Sequence, residues 1–133
     1  MRQFRICIGS SDGDIVARTH MGDTECFYIY DLFENSEPVF VDKRTNSARD
    51  MGHAKDDKMK EILKLAKDAD VLVARQKSPN FLNIARKTKY LPVVVETERV
   101  SDVLTVLDRS FQEIFSLISR RRSGEYSDSI LEL

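Results

Sequence analysis

Two short apolar runs, Asp70-Val-Leu-Val-Ala74 and Leu91-Pro-Val-Val-Val95, constrain the fold more than any other feature of the chain. They are too short for helices and do not alternate, which is the pattern of strands buried on both faces. The segments around them are helical in period. Met59, Ile62, Leu63 and Ala66 repeat at helical spacing, while Lys58, Lys60, Glu61 and Lys64 are expected to face water. Ser78-Pro79 opens a second helix, with a hydroxyl to cap the orphan amides and a proline that lacks one, and Phe81, Leu82, Ile84 and Ala85 form its buried side. A third helix, capped by Ser101, holds Val103, Leu104, Leu107, Phe111, Ile114, Phe115 and Ile118 on one stripe. It ends in Arg120-Arg-Arg122, with Gly124 to terminate it. The spacing predicts helices over 56–68, 79–88 and 101–121. Strands alternating with helices in this way require parallel pairing through right-handed crossovers.

The first half reads differently. From Phe4 to Gly9 the residues alternate, Phe4, Ile6 and Ile8 on one face and Arg5 and Cys7 on the other, before the turn Gly9-Ser-Ser-Asp-Gly13. A short strand is expected over 15–17, then a polar loop to Glu25. The aromatic and β-branched segments Cys26–Asp31 and Pro38–Asp42 form a hairpin through Glu34-Asn-Ser-Glu37. The expected architecture is α/β: a mixed five-stranded sheet with helices on both faces, residues 1–122 forming one domain and 123–133 a loose C-terminal tail.

Composition narrows the classes of partner. A net charge of -1 provides no global field toward nucleic acid or anionic lipid. No apolar stretch approaches the roughly 20 residues of a bilayer crossing, and the N-terminal apolar run is too interrupted for a signal peptide, so a cytoplasmic location is expected. Cys7 and Cys26, without a CxxC pair or zinc spacing, read as buried small hydrophobes.

Several segments taken in order resemble the dinitrogenase iron–molybdenum cofactor-binding family. They are the strand and turn Ile6-Cys-Ile-Gly-Ser-Ser-Asp-Gly13, the motif Ala17-Arg-Thr-His20-Met21-Gly22, and the aromatic strand Phe27-Tyr-Ile-Tyr-Asp31. Gly52-His53, Asp70–Ala74, Ser78-Pro79 and the helix near Ser101 continue the match, which spans roughly residues 4–108. The chain departs from the family at Met21, where an aromatic is usual, and at Arg75-Gln-Lys-Ser78, which lacks glycine. The resemblance implies a ribonuclease H-like fold, no catalysis, and binding of an iron–molybdenum or other metal–sulfur cluster or its precursor, with a role accessory to nitrogen fixation. It also implies a contact set of His20, Gly22, Gly52, His53, Lys77 and Ser78, with His20 and His53 as metal ligands.

The residues themselves allow more than one reading. His20 and His53 are the only histidines; neutral imidazoles suit iron, yet both would be equally at home as solvated loop residues. Arg75, Lys77 and the amides after Ser78 could receive an anion, or simply form a capped helix start. Asp12, Asp31 and Asp70 are the carboxylates that a two-metal nuclease would need to cluster. No Ser–His–Asp arrangement, P-loop or GxGxxG occurs. The alternative to a cofactor carrier is a cluster-free interaction or regulatory domain, whose long third helix and tail contact a protein partner or a second copy.

Overall fold

A computed structural model of the chain describes residues 2–49 and 55–133. The described residues form six strands and four helices. The order is β1 (Gln3–Ser10), β2 (Cys26–Phe33), β3 (Val39–Thr45), α1 (Lys55–Leu65), β4 (Val71–Ala74), α2 (Pro79–Lys87), β5 (Leu91–Val94), α3 (Val100–Arg109), α4 (Phe111–Arg122) and β6 (Leu131–Glu132). A 3-10 turn, Met21–Asp23, lies between β1 and β2.

The strands form one mixed sheet in the order β3-β2-β1-β4-β5-β6. β2 pairs antiparallel with both β1 and β3, while β4, β5 and β6 continue parallel from β1. The sheet therefore has six strands, not the five expected. The extra one comes from the segment read as a loose tail: the Leu133 amide donates to the Val94 carbonyl at 2.9 Å, and the Glu96 amide donates to the Leu133 carbonyl at 3.1 Å. Two residues are too few for a period to reveal, so β6 leaves no pattern in the sequence.

The alternation of β1 divides the interior as expected. Phe4, Ile6 and Ile8 pack with Val103, Leu107, Phe111, Ile114 and Ile118 of α3 and α4. Cys7, with Phe27, Ile29 and Leu72, packs against Ile62 of α1, Ala66 just beyond it, and Phe81 and Ile84 of α2. Helices thus cover both faces, which is why β4 has no polar side. The third helix departs from expectation. Its apolar stripe is buried as read, Leu104 and Phe115 only in part, but it breaks at Ser110, whose amide is shared between the Val106 and Leu107 carbonyls at 3.2 Å each. Ser101 lies inside α3, and Arg99 takes the cap position without a side-chain bond. Serine is a middling helix former that readily leaves helical geometry, and here Ser110 has φ -98 and ψ 19. The break lets Phe111 lie 4.9 Å from Phe4, ring to ring.

The hairpin between β2 and β3 turns through Asn35 at φ 59, and a bulge at Ile29/Tyr30 bends the pair. Residues 15–17 do not form the short strand expected; Ile15 and Val16 make only isolated bridges, to Arg99 and Ser10. Register fixes what lies at each end of the sheet. Ser10 faces Cys26, Ile8 faces Val73, and Ala74 faces Val94. The carboxyl ends of β1, β4 and β5, the 3-10 turn and the start of α2 therefore gather at one sheet end, where open α/β sheets commonly bind ligands.

Candidate functional site

At that end a cavity of about 360 Å³ opens between the 3-10 turn, α1 and α2. His20, Met21 and Gly22 line one side, Lys58, Met59 and Ile62 another, and Ser78 to Phe81 a third. Each wall follows from local sequence. Met21 is buried and anchors the turn from beneath, so His20 stays exposed above it. The Asp23 amide closes the turn on the His20 carbonyl at 2.9 Å. Gly22 lets α1 approach: a Cβ there would stand 3.1 Å from Ile62 and 3.3 Å from Lys58. On the third wall the buried Ser78 hydroxyl accepts the Phe81 amide at 3.2 Å, and Pro79 occupies the first turn of α2. The positive end of that helix faces the cavity.

Two residues that hold the site together were not found by sequence reasoning. Lys58, read as solvent-facing, has a side chain only 17% exposed and reaches the Asp23 carboxylate at 2.5 Å, tying α1 to the turn. The signal was its place one turn before Ile62, beside the buried stripe rather than opposite it. Asn46 is buried at the end of β3. Its Nδ2 donates to the carbonyls of Gly22 at 3.1 Å and Thr24 at 2.8 Å, while its Oδ1 accepts the Ala48 amide at 3.0 Å. An asparagine 24 residues from its partner leaves no local pattern.

Of the residues singled out by sequence, His20, Gly22 and Ser78 meet at this cavity. Lys77 is exposed and lines a neighbouring cleft with Arg75 and Glu96. Gly52 and His53 lie outside the described residues. Cys7 and Cys26 are buried and unpaired, as expected, and burial pushes the Cys7 thiol far above its ordinary range. Of the three carboxylates considered for phosphodiester cleavage, Asp12 lies at the opposite end of the sheet from Asp31 and Asp70, and all three are engaged. Asp12 accepts the amides of Asp14 and Ile15 at 2.9 and 3.0 Å, which lowers its pKa. Asp31 sits opposite Arg5 near the other end of β1 and accepts its guanidinium at 2.7 and 3.0 Å. Asp70, also at that end, accepts the Arg5 amide at 2.9 Å and Arg122 at 2.7 Å.

A family model for the dinitrogenase iron–molybdenum cofactor matches residues 2–109. The chain belongs to this dinitrogenase iron–molybdenum cofactor family. No curated protein matches it. Family membership associates the chain with cofactor binding or an accessory role around that cofactor, and the matched region contains the whole cavity. The match ends at Arg109, the last residue of α3, so α4 and β6 lie beyond the matched region. The cavity's donor chemistry suits the family's cofactor in one particular way. Among the described residues, no three His, Cys, Asp or Glu side chains cluster as for a bare ion. A preassembled anionic cluster would instead need a polar cradle and few direct ligands; one accessible imidazole and the start of α2 are of that kind, while Lys58 is held by Asp23, whose carboxylate also lines the cavity. Among the described residues, no helix is long and apolar enough to cross a membrane.

Proposed function

We propose that the protein is a non-catalytic carrier of an iron–molybdenum or related metal–sulfur cluster, held as cargo at the cavity beside His20. The observation that carries this reading is the convergence of His20, Gly22 and Ser78 from separate elements on one cavity, in a chain of this family. His20 is the cluster ligand, through an imidazole nitrogen. The start of α2 offsets the cluster's negative charge, Lys58 being already paired with Asp23, and the thioethers of Met21 and Met59 give the cavity a soft, polarizable lining. Gly52 and His53 join this contact set on the strength of the sequence, with His53 as a second ligand. Lys77, outside the cavity wall, adds long-range positive field. The strand order, with β2 alone running against the others, supports a ribonuclease H-like reading of the fold.

Titration with tetrathiomolybdate, followed by visible absorption and by metal content after desalting, tests the assignment. Binding should weaken about tenfold or more in His20→Ala, the loss expected for one direct interaction of roughly 1.5 kcal/mol. Thermal melting should hardly change, since His20 is exposed. Equal affinity of the wild type and His20→Ala would remove His20 from the ligand role.

A second reading, a cluster-free interaction domain, draws support from β3. This edge strand leaves Val39 49%, Phe40 53% and Val41 38% exposed. Large apolar residues in sequence on an open edge are a template for another chain.

A further inference from the structure

Outside the His20 cavity, one charge is placed at unusual cost. Arg121 of α4 is 4% exposed, the only buried ionisable charge among the described residues. Its Nη2 donates to the carbonyls of Ile84, Ala85 and Thr88 at 3.1, 2.7 and 2.6 Å, capping the C-terminal end of α2. Those carbonyls carry only a fraction of a negative charge. Nε is buried without any partner, and no ion pair among the described residues includes Arg121. Desolvation accordingly pushes its pKa down. A buried cation without a counter-charge is a strongly unfavourable arrangement that a bound anion would relieve.

Arg121 lines a cavity of about 430 Å³ between α4 and the segment leading into β6. That volume lies within the range of small-molecule sites. Leu91, Leu117, Ile130 and Leu131 give the cavity an apolar surface, and Ser127 and Ser129 add hydroxyls. The Tyr126 ring lies over the guanidinium, its centroid 5.2 Å from the central carbon. Glu113 and Glu125 also line the cavity with Arg120, all three exposed; two carboxylates against one rim cation disfavour multiply charged anions.

We propose that this cavity binds a small aliphatic monocarboxylate, its carboxylate on the free edge of Arg121 and its hydrocarbon chain on the leucine and isoleucine side chains. The planar guanidinium suits a carboxylate, the apolar lining selects an organic acid over an inorganic ion, and the two glutamates select a single charge. Because residues 125–131 form part of the cavity wall, occupancy would also favour the docked state of β6. All of these residues except Leu91 lie beyond the region matched by the family, so the site is separate from the cofactor cavity.

The test uses the full chain and butyrate as probe, with butylamine and inorganic phosphate as comparators. Calorimetry and thermal melting should give saturable binding and a raised melting temperature for butyrate alone. Arg121→Met should weaken butyrate binding about tenfold or more, as for a lost charge-assisted hydrogen bond. Ser129→Trp, which fills the cavity and leaves the Arg121 bonds to α2 in place, should abolish binding while the circular dichroism spectrum is unchanged. Should Arg121→Met fail to fold, Ser129→Trp decides alone. Absence of saturable butyrate binding, equal binding of phosphate, or undiminished affinity in Ser129→Trp would overturn the proposal.

Discussion

Single side chains in this protein act mostly by tying distant segments together. Asn46 spends its amide on the carbonyls of Gly22 and Thr24, and so sets the height of the turn that carries His20. Asn46→Ala leaves two carbonyls without their donor, one of them buried with Thr24, and should cost about 1–3 kcal/mol in urea denaturation. Cluster or thiomolybdate affinity should fall with it, because the imidazole loses its platform. Asp68 works at the opposite end of the sheet. It accepts both terminal nitrogens of Arg44, at 2.7 and 2.9 Å, and Nη1 of Arg5 at 2.7 Å. Those hydrogen bonds, from Arg44 first, hold its carboxyl well below the usual carboxylate range despite some desolvation. A carboxyl whose folded pKa is depressed stabilises the fold above its unfolded pKa of about 3.9 and loses that contribution as pH falls toward the folded value. The wild type should therefore exceed Asp68→Asn in denaturation midpoint at about pH 7, with the gap narrowing below about pH 4. A gap independent of pH would mean that the pairs are screened out by water, the usual fate of exposed ion pairs.

At the scale of elements, the broken third helix is the most informative. Its stripe runs through Ser110 from α3 into α4, and Phe111 stands directly after the break. Phe111 is 5% exposed, packs against Phe4 and stacks with Phe115 at 6.1 Å. Truncating Phe111 to Ala should cost about 3–5 kcal/mol, read as a lower urea midpoint at unchanged slope. A much smaller loss would mean that α4 repacks as a rigid unit over the sheet. The two halves of the stripe were readable from helical period alone. The break was not, since a serine between two apolar turns is compatible with a continuous helix. Packing both halves of the stripe on a twisted sheet favours two shorter segments over one long one, and Ser110 is where the chain yields.

For the molecule as a whole, the question is whether the open β3 edge is used. One end of the sheet is closed by the short β6, while β3 at the other has apolar residues on consecutive positions. If the interaction reading holds, sedimentation should reveal self-association or capture of a partner through this edge. Val41→Lys should abolish it without changing the melting temperature, because a lysine on an exposed edge strand blocks pairing and costs little in the monomer. A wild type that remains monomeric and captures no partner would leave the carrier reading alone.

Much of this architecture lies in local pattern. Continuous apolar runs at β4 and β5, alternation at β1 and helical spacing around Ile62 and Phe81 depend on neighbours within a turn or a strand, so the α/β class and the two-sided core follow from the chain itself. The cap at Ser78 was legible for the same reason, while His20 stood out only through the resemblance of its motif to the family. What only the tertiary structure decided involves residues far apart in sequence. Pairing with β5 makes a strand of the last residues; the sheet surface divides the third helix; and packing of α1 on the turn brings Lys58 to the cavity and leaves Lys77 outside it. Arg121 reads in sequence as one of three charges at a helix end. Folding alone sets it beneath the tail and against the carbonyls of α2, because burial is a property of the assembled surfaces and not of the residue that is buried.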